Sequence, residues 1–145
     1  MGRYLGPKCK RCRRAREKLF LKGERCLTAK CAIEKRNFPP GKRAVRPPKI
    51  SEYGRRLIEK QKLRFFYGVS EKQMRLVFAE ASRQKGMTGN NLLSLFERRF
   101  DNVVFRVFLG RSRKEARQLV KHGHFILNNR KNDIPSTTLK VGDVI

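Results

Sequence analysis

Through the middle of this chain the apolar residues fall at helical spacing, and near its end they switch to a period of two. Ser51 is placed to cap a long helix, SEYGRRLIEKQKLRFFYG, that stops near Gly68. Its apolar positions Leu57, Ile58, Leu63, Phe65 and Phe66 are imperfectly periodic, and Arg55, Arg56, Lys60, Lys62 and Arg64 fill the rest. The next segment, SEKQMRLVFAEASRQKG, opens with a Ser70–Gln73 capping box. It sets Met74, Val77, Phe78 and Ala81 on one core-facing stripe, with Gly86 as the stop. Asn90 or Asn91 is expected to cap a third helix with Leu92, Leu95, Phe96 and Phe100 inward, and Asp101 to restart a turn, DNVVFRVFLG, whose apolar residues are Val103, Val104, Val107 and Phe108. Ser112 and Glu115 form a second capping box. Behind it Ala116, Leu119 and Val120 face a core, Arg113, Lys114, Arg117 and Lys121 face out, and Gly123 ends the helix. HFILNN then reads as a strand, Asn128-Asn129 as a turn tolerating positive φ, RKNDI as its partner and TLKVGDVI as a third strand. No internal repeat appears.

The first third is organised differently. Cys9, Cys12, Cys26 and Cys31 are all the cysteines of the chain, spaced C-x2-C and C-x4-C. Two close pairs of thiolates brought together by a loop are the common structural solution for tetrahedral Zn²⁺. An iron–sulfur cluster also takes four cysteines. Lys8, Lys10, Arg11, Arg13 and Arg14 surround the first pair and are expected to lower its thiol pKa values. Such a site closed by four protein ligands leaves no open position for chemistry. Residues 32–50 contain Pro39, Pro40, Gly41, Pro47 and Pro48 and read as an extended basic connector. The expected organisation is therefore a four-cysteine metal knot and connector over 1–50, a helical domain over 51–90, and a small helix–helix–sheet module over 91–145, an α+β protein.

Charge narrows the function. The 145 residues carry 37 Lys and Arg against 12 Asp and Glu, a formal net charge of +25. The first 50 residues hold 17 of those basic groups and 3 of the acidic ones. A charge this lopsided repels itself when compact and is suited to a polyanion, for which nucleic acid is the natural choice because each neutralised phosphate releases counterions. No apolar run reaches transmembrane length, and no apolar stretch follows the basic start as in a secretory signal, so no membrane role is expected. No Gly-rich phosphate loop, paired carboxylates or nucleophile beside a histidine is legible, and the chain is expected not to be an enzyme.

Three stretches, MGRYLGPKCKRCRR, RLIEKQKL from Arg56 to Leu63, and RFDNVVFRVFLGRSRKEARQLVKHGHFILN, together resemble the bacterial-type small-subunit ribosomal protein S-four family. The resemblance spans nearly the whole chain, and its last stretch looks like the family's compact RNA-binding module. It implies a structural constituent of the small ribosomal subunit. Such a protein is a primary binder of 16S ribosomal RNA that nucleates 30S assembly and helps form the messenger entry region beside ribosomal protein S-five. It implies a ribosome of the bacterial cytoplasm or of an organelle. Carried over residue by residue, it places Arg111, Ser112, Arg113, Arg117, His122 and His124 on the RNA-facing edge of the module. Tyr4, Arg11, Arg13, Arg14, Lys60, Lys62 and Arg64 match other RNA-facing stretches. Cys9, Cys12, Cys26 and Cys31 match the metal knot of some members, with Zn as the expected ion.

The chain departs from the pattern in places. After Pro39-Pro40-Gly41 it runs directly into KRAVRPPKI, its hairpin turn is Asn128-Asn129 where Asn-Gly is usual, and family members continue past the Gly-Asp that here is Gly142-Asp143. The alternatives are an accessory RNA-binding module of an RNA-modifying enzyme, which needs a catalytic domain, and a zinc-dependent nucleic-acid-binding regulator. The latter needs a helix with base-reading side chains, and residues 113–121 offer Gln118 and little else beyond cations.

Overall fold

The computed structural model describes residues 4–42 and 49–145. It divides into two compact units, Met1–Val69 and Ser70–Ile145. The first holds α1 (Lys8–Ala15), a 3-10 turn over Gly23–Cys26, α2 (Ala32–Lys35) and α3 (Glu52–Tyr67). The cap of α3 forms as its sequence suggests: the Ser51 hydroxyl accepts the Gly54 N–H at 3.1 Å. Its end is set by Gly68, whose φ of 66° lets its N–H turn back to the Arg64 carbonyl. The segment expected to be wholly extended from residue 32 begins instead with the single turn of α2. Beyond it the chain is pinned by Arg13, whose Nε donates to the Phe38 carbonyl at 2.8 Å and whose Nη2 donates to that of Pro39 at 3.2 Å. Pro47 and Pro48 lie outside the described residues. Among its described residues the buried side chains are few: Cys12, Leu19, Cys26, Cys31 and Tyr67.

The second unit runs α4 (Glu71–Arg83), α5 (Thr88–Glu97), α6 (Phe100–Arg106), α7 (Arg113–Lys121), β1 (Ile126–Leu127) and β2 (Arg130–Lys131). Ser70 caps α4 through the Gln73 N–H at 3.2 Å, as read from the sequence. The other end of α4 differs. The helix stops at Gln84 rather than at Gly86, and Asn91 is the reason. Its Nδ2 donates to the carbonyls of Ala81, Gln84 and Lys85 at 3.2–3.3 Å. Asn91 thus satisfies the orphan acceptors of the preceding helix instead of capping its own. α5 begins earlier, after Met87, with no side-chain cap. The buried stripe of α4 is also narrower than its periodicity suggests. Met74 and Ala81 are buried, but Phe78 is 52% exposed, because α4 packs mainly on the one helix α5.

α6 and α7 enclose the apolar centre: Phe100, Val104, Ala116 and Val120 are fully buried, with Leu139 joining them and Val103, Phe105, Phe125 and Leu127 packed around. Gly110 lets the α6–α7 turn come close, since a Cβ there would lie 3.0 Å from the Ala116 backbone. The hairpin pairs Ile126 with Lys131 and Leu127 with Arg130, and Asn128 and Asn129 both take positive φ, as that tight turn demands.

The third strand does not form. Thr138 makes only an isolated bridge to Arg99, Leu139 N–H donates to the Arg98 carbonyl at 2.8 Å, and Asn128 N–H reaches the Val144 carbonyl at 3.0 Å. The segment touches two different elements instead of running along a ladder. A tight turn breaks it: Asp143 accepts the Lys140 N–H at 2.7 Å, and Gly142 sits at φ 97°. Among the described residues the fold is therefore mostly helical with one short sheet, within the expected α+β class. Among the described residues, no helix is long and apolar enough to cross a membrane.

The turn carries a pH prediction. The Lys140 N–H and the Asn128 amide, at 2.8 Å, hold the Asp143 carboxyl below its ordinary pKa. A carboxyl depressed on folding stabilises above its unfolded pKa, and that contribution is lost as pH falls through the lower folded value. The Lys140 amide resonance should therefore titrate below the usual carboxylate range. Asp143→Asn should abolish that titration.

Candidate nucleic-acid interface and cysteine cluster

In the first unit the cysteines come together. All four are free, Cys12, Cys26 and Cys31 are buried, and Cys9 is half-buried. They line one small cavity with Lys22, Arg25, Ala32 and Ile33. α1 brings Cys9 and Cys12 to it, the 3-10 turn brings Cys26, and Cys31 lies at the start of α2. Cys12 does not follow the expected direction. Burial pushes its thiol up, the Leu19 backbone hydrogen bond opposes this, and Cys26, Cys9 and Cys31 add to the rise. The cations around α1 point into solvent or to other partners, so desolvation wins. Among the described residues, no group of three or more His, Cys, Asp or Glu side chains is arranged as a metal-binding set.

The basic residues of this unit split into two kinds. Arg11 is sandwiched, its guanidinium 3.6 Å from the Tyr4 ring centroid and 4.2 Å from that of Phe65, with Arg64 also over Phe65 at 5.1 Å. Burial lowers the Arg11 pKa; Tyr4 opposes this and Arg64 adds to it. Arg11 and Arg64 thus share the Phe65 ring, and Tyr4 stacks on Arg11. Arg13 stacks on Phe38 at 4.7 Å while holding the connector backbone. Lys62 bridges Glu17 at 2.6 Å and Glu59 at 2.8 Å, contacts that raise its pKa. Arg14 and Lys60 lie exposed.

In the second unit the α7 cations are not all outward. Arg113 donates from Nε to Asn102 Oδ1 at 2.8 Å and lies 4.4 Å from the Phe105 ring centroid. Arg117 has a side chain only 14% exposed and meets Asp101 at 3.5 Å. Asp101 is itself buried and takes a two-pronged pair from buried Arg99, both bonds 3.1 Å. Asn102 in turn donates to Glu97, which also binds Arg106. These residues use their cations to hold α6 to α7 and to the end of α5. The sequence reading missed Asp101 and Asn102 as anchors, although a carboxylate and an amide side by side within ERRFDNVV, just inside an apolar run, were a usable signal.

The start of α7 is likewise already occupied by an acid. Ser112 Oγ accepts the Glu115 N–H at 3.3 Å, and the Glu115 carboxylate accepts the Arg111 N–H at 2.9 Å. A carboxylate on the helix N-terminus competes with any phosphate for the same N–H groups. The exposed chemistry of this edge is the side chains of Arg111, Lys114 and Lys121, with His122 and His124 stacked at 6.1 Å beyond the helix end.

Two family profiles match the chain: ribosomal protein S4/S9 N-terminal domain over residues 3–97, and S4 domain over residues 98–145. The chain is 60% identical over all 145 residues to the small ribosomal subunit protein uS4 of Geobacter metallireducens, covering 70% of that protein. It is 59% identical to the uS4 proteins of Geobacter sulfurreducens and of Heliobacterium modesticaldum, again over the whole chain and 70% of each relative. With both profiles matched end to end and identity at this level along its full length, the chain belongs to the uS4 family of small ribosomal subunit proteins.

Proposed function

We propose that this protein is a structural component of the small ribosomal subunit of a bacterial cytoplasm, that it binds 16S ribosomal RNA and that it is not an enzyme. The observation that carries this is whole-length identity of 56–60% to proteins named small ribosomal subunit protein uS4. The charge of +25 supports it, because a folded protein so basic is suited to being covered by phosphate. Early binding that nucleates 30S assembly, a place at the messenger entry and contact with ribosomal protein S-five are the finer parts of the same reading. Neither an enzyme-linked module nor a DNA-reading regulator is favoured by any feature of the two units.

The RNA contacts we assign are the exposed members of the sequence-derived set and one half-buried arginine–aromatic cluster. In the first unit they are Arg14 and Lys60, with the Tyr4–Arg11–Arg64 cluster. In the second they are Arg111, His122 and His124, joined by Lys114 and Lys121. Arg13, Lys62, Ser112, Arg113 and Arg117 act by holding the surfaces that present them. The four thiols are assigned to one structural Zn²⁺. Their convergence on a single cavity, without disulfides, supports this, and a soft four-sulfur donor set suits that ion.

The test is binding to 16S ribosomal RNA and to duplex DNA across a salt series. Tighter binding to the RNA, with log affinity falling linearly in log salt, is the expected result. Equal affinity for both polyanions would reduce the reading to non-specific charge.

A further inference from the structure

Phe108 occupies a corner built for glycine. α6 ends in a Schellman turn, with Phe108 N–H donating to the Phe105 carbonyl and Leu109 N–H to that of Val104, both at 3.1 Å. The corner residue must turn left-handed, and Phe108 does so at φ 61°. α7 ends in the same motif, Gly123 N–H to Val120 at 2.9 Å and His124 N–H to Leu119 at 3.3 Å, and there the corner is glycine at φ 73°. A Cβ at such a corner is strained. The ring recovers nothing by burial, because Phe108 is 93% exposed. Folding by itself favours glycine here.

The turn that carries the ring is fixed. Val107 N–H bonds to Val103 at 2.9 Å, Arg111 N–H to the Glu115 carboxylate at 2.9 Å, and Gly110 lies against Ala116. A rigid backbone therefore presents a bare aromatic face, flanked in sequence by half-exposed Val107 and Leu109 and followed by the exposed cations Arg111 and Lys114, while Arg106 is held by Glu97. An apolar pocket of a partner protein would have to desolvate those cations to reach the ring. An unstacked base brings its own phosphate to them and offers a flat π-face to the phenyl.

We propose that Phe108 is a base-stacking residue that takes one unpaired base of ribosomal RNA, a role resting on the RNA binding proposed above. The experiment compares the full chain with Phe108→Gly and Phe108→Trp on 16S ribosomal RNA. Phe108→Gly should raise the melting temperature of the free protein, by about 4 °C for one relieved left-handed side chain. It should weaken RNA binding roughly tenfold while leaving the salt slope unchanged, since stacking neutralises no phosphate. Phe108→Trp should keep the affinity, and its emission, alone in a chain without tryptophan, should be quenched by the RNA. Unaltered RNA affinity in Phe108→Gly overturns the proposal, as does a loss confined to co-assembly with other small-subunit proteins. Wild-type protein that ignores the RNA would instead sink the function reading and this inference together.

Discussion

Replacing Asp101 by Ala is expected to destabilise the C-terminal unit by about 3–5 kcal/mol, because removing one member of a buried ion pair strands the other. Here it strands Arg99, which is 4% exposed and loses both of its side-chain bonds, and it also removes the contact between Asp101 and Arg117. Asp101→Asn keeps the shape but removes the charge, and should fall between wild type and the Ala variant in urea denaturation. A loss below about 1 kcal/mol would mean that both guanidiniums reach water easily, as at a surface pair. The same geometry changes what Arg117→Ala reports. Its main effect should be on stability, with the salt dependence of RNA binding left to Arg111, Lys114 and Lys121.

Cys12→Ser with Cys26→Ser is expected to loosen the N-terminal unit alone. Among its described residues the buried apolar side chains are Leu19, Tyr67, Cys12, Cys26 and Cys31, too little to order a unit of this length by burial. Structural Zn²⁺ in small sites supplies about 10–16 kcal/mol of apparent folding free energy, so its loss would remove most of what holds the unit. Amide exchange should accelerate through α1 and the 3-10 turn while α4 to α7 stay protected. A chelator added to the wild type should reproduce the pattern, and metal analysis should return one Zn per chain. A metal-free wild type whose α1 amides are indifferent to the chelator would leave the thiols as core packing only.

The residues differ in how much of their role could be read along the chain. The caps at Ser51, Ser70 and Ser112 were legible because a hydroxyl bonds an N–H three residues on, a purely local event. So was the Asn128-Asn129 turn, whose two positive φ values belong to residues that tolerate them. The clustered cysteines and the basic excess were visible for the same reason, being matters of spacing and count. Asn91 was misread because its partners lie on the preceding helix. Its amide could as well cap one helix start as another helix end, and only the α4–α5 packing decided between them. The third strand failed for a similar cause: alternation in TLKVGDVI describes a chain free to extend, but the Asp143 carboxylate closes a turn within it.

By itself, then, the sequence determined where the Ser-capped helices begin, where the hairpin turns, that the cysteines cluster along the chain and that the charge suits a polyanion, since each depends on near neighbours or on total charge. Tertiary structure alone decided which arginines are spent inside. Arg113 and Arg117 lie one turn apart on an amphipathic helix, and the sequence placed both on its polar face. Only the arrival of Asp101 and Asn102 from α6, where burial strengthens every charge contact, turned them from surface cations into internal struts.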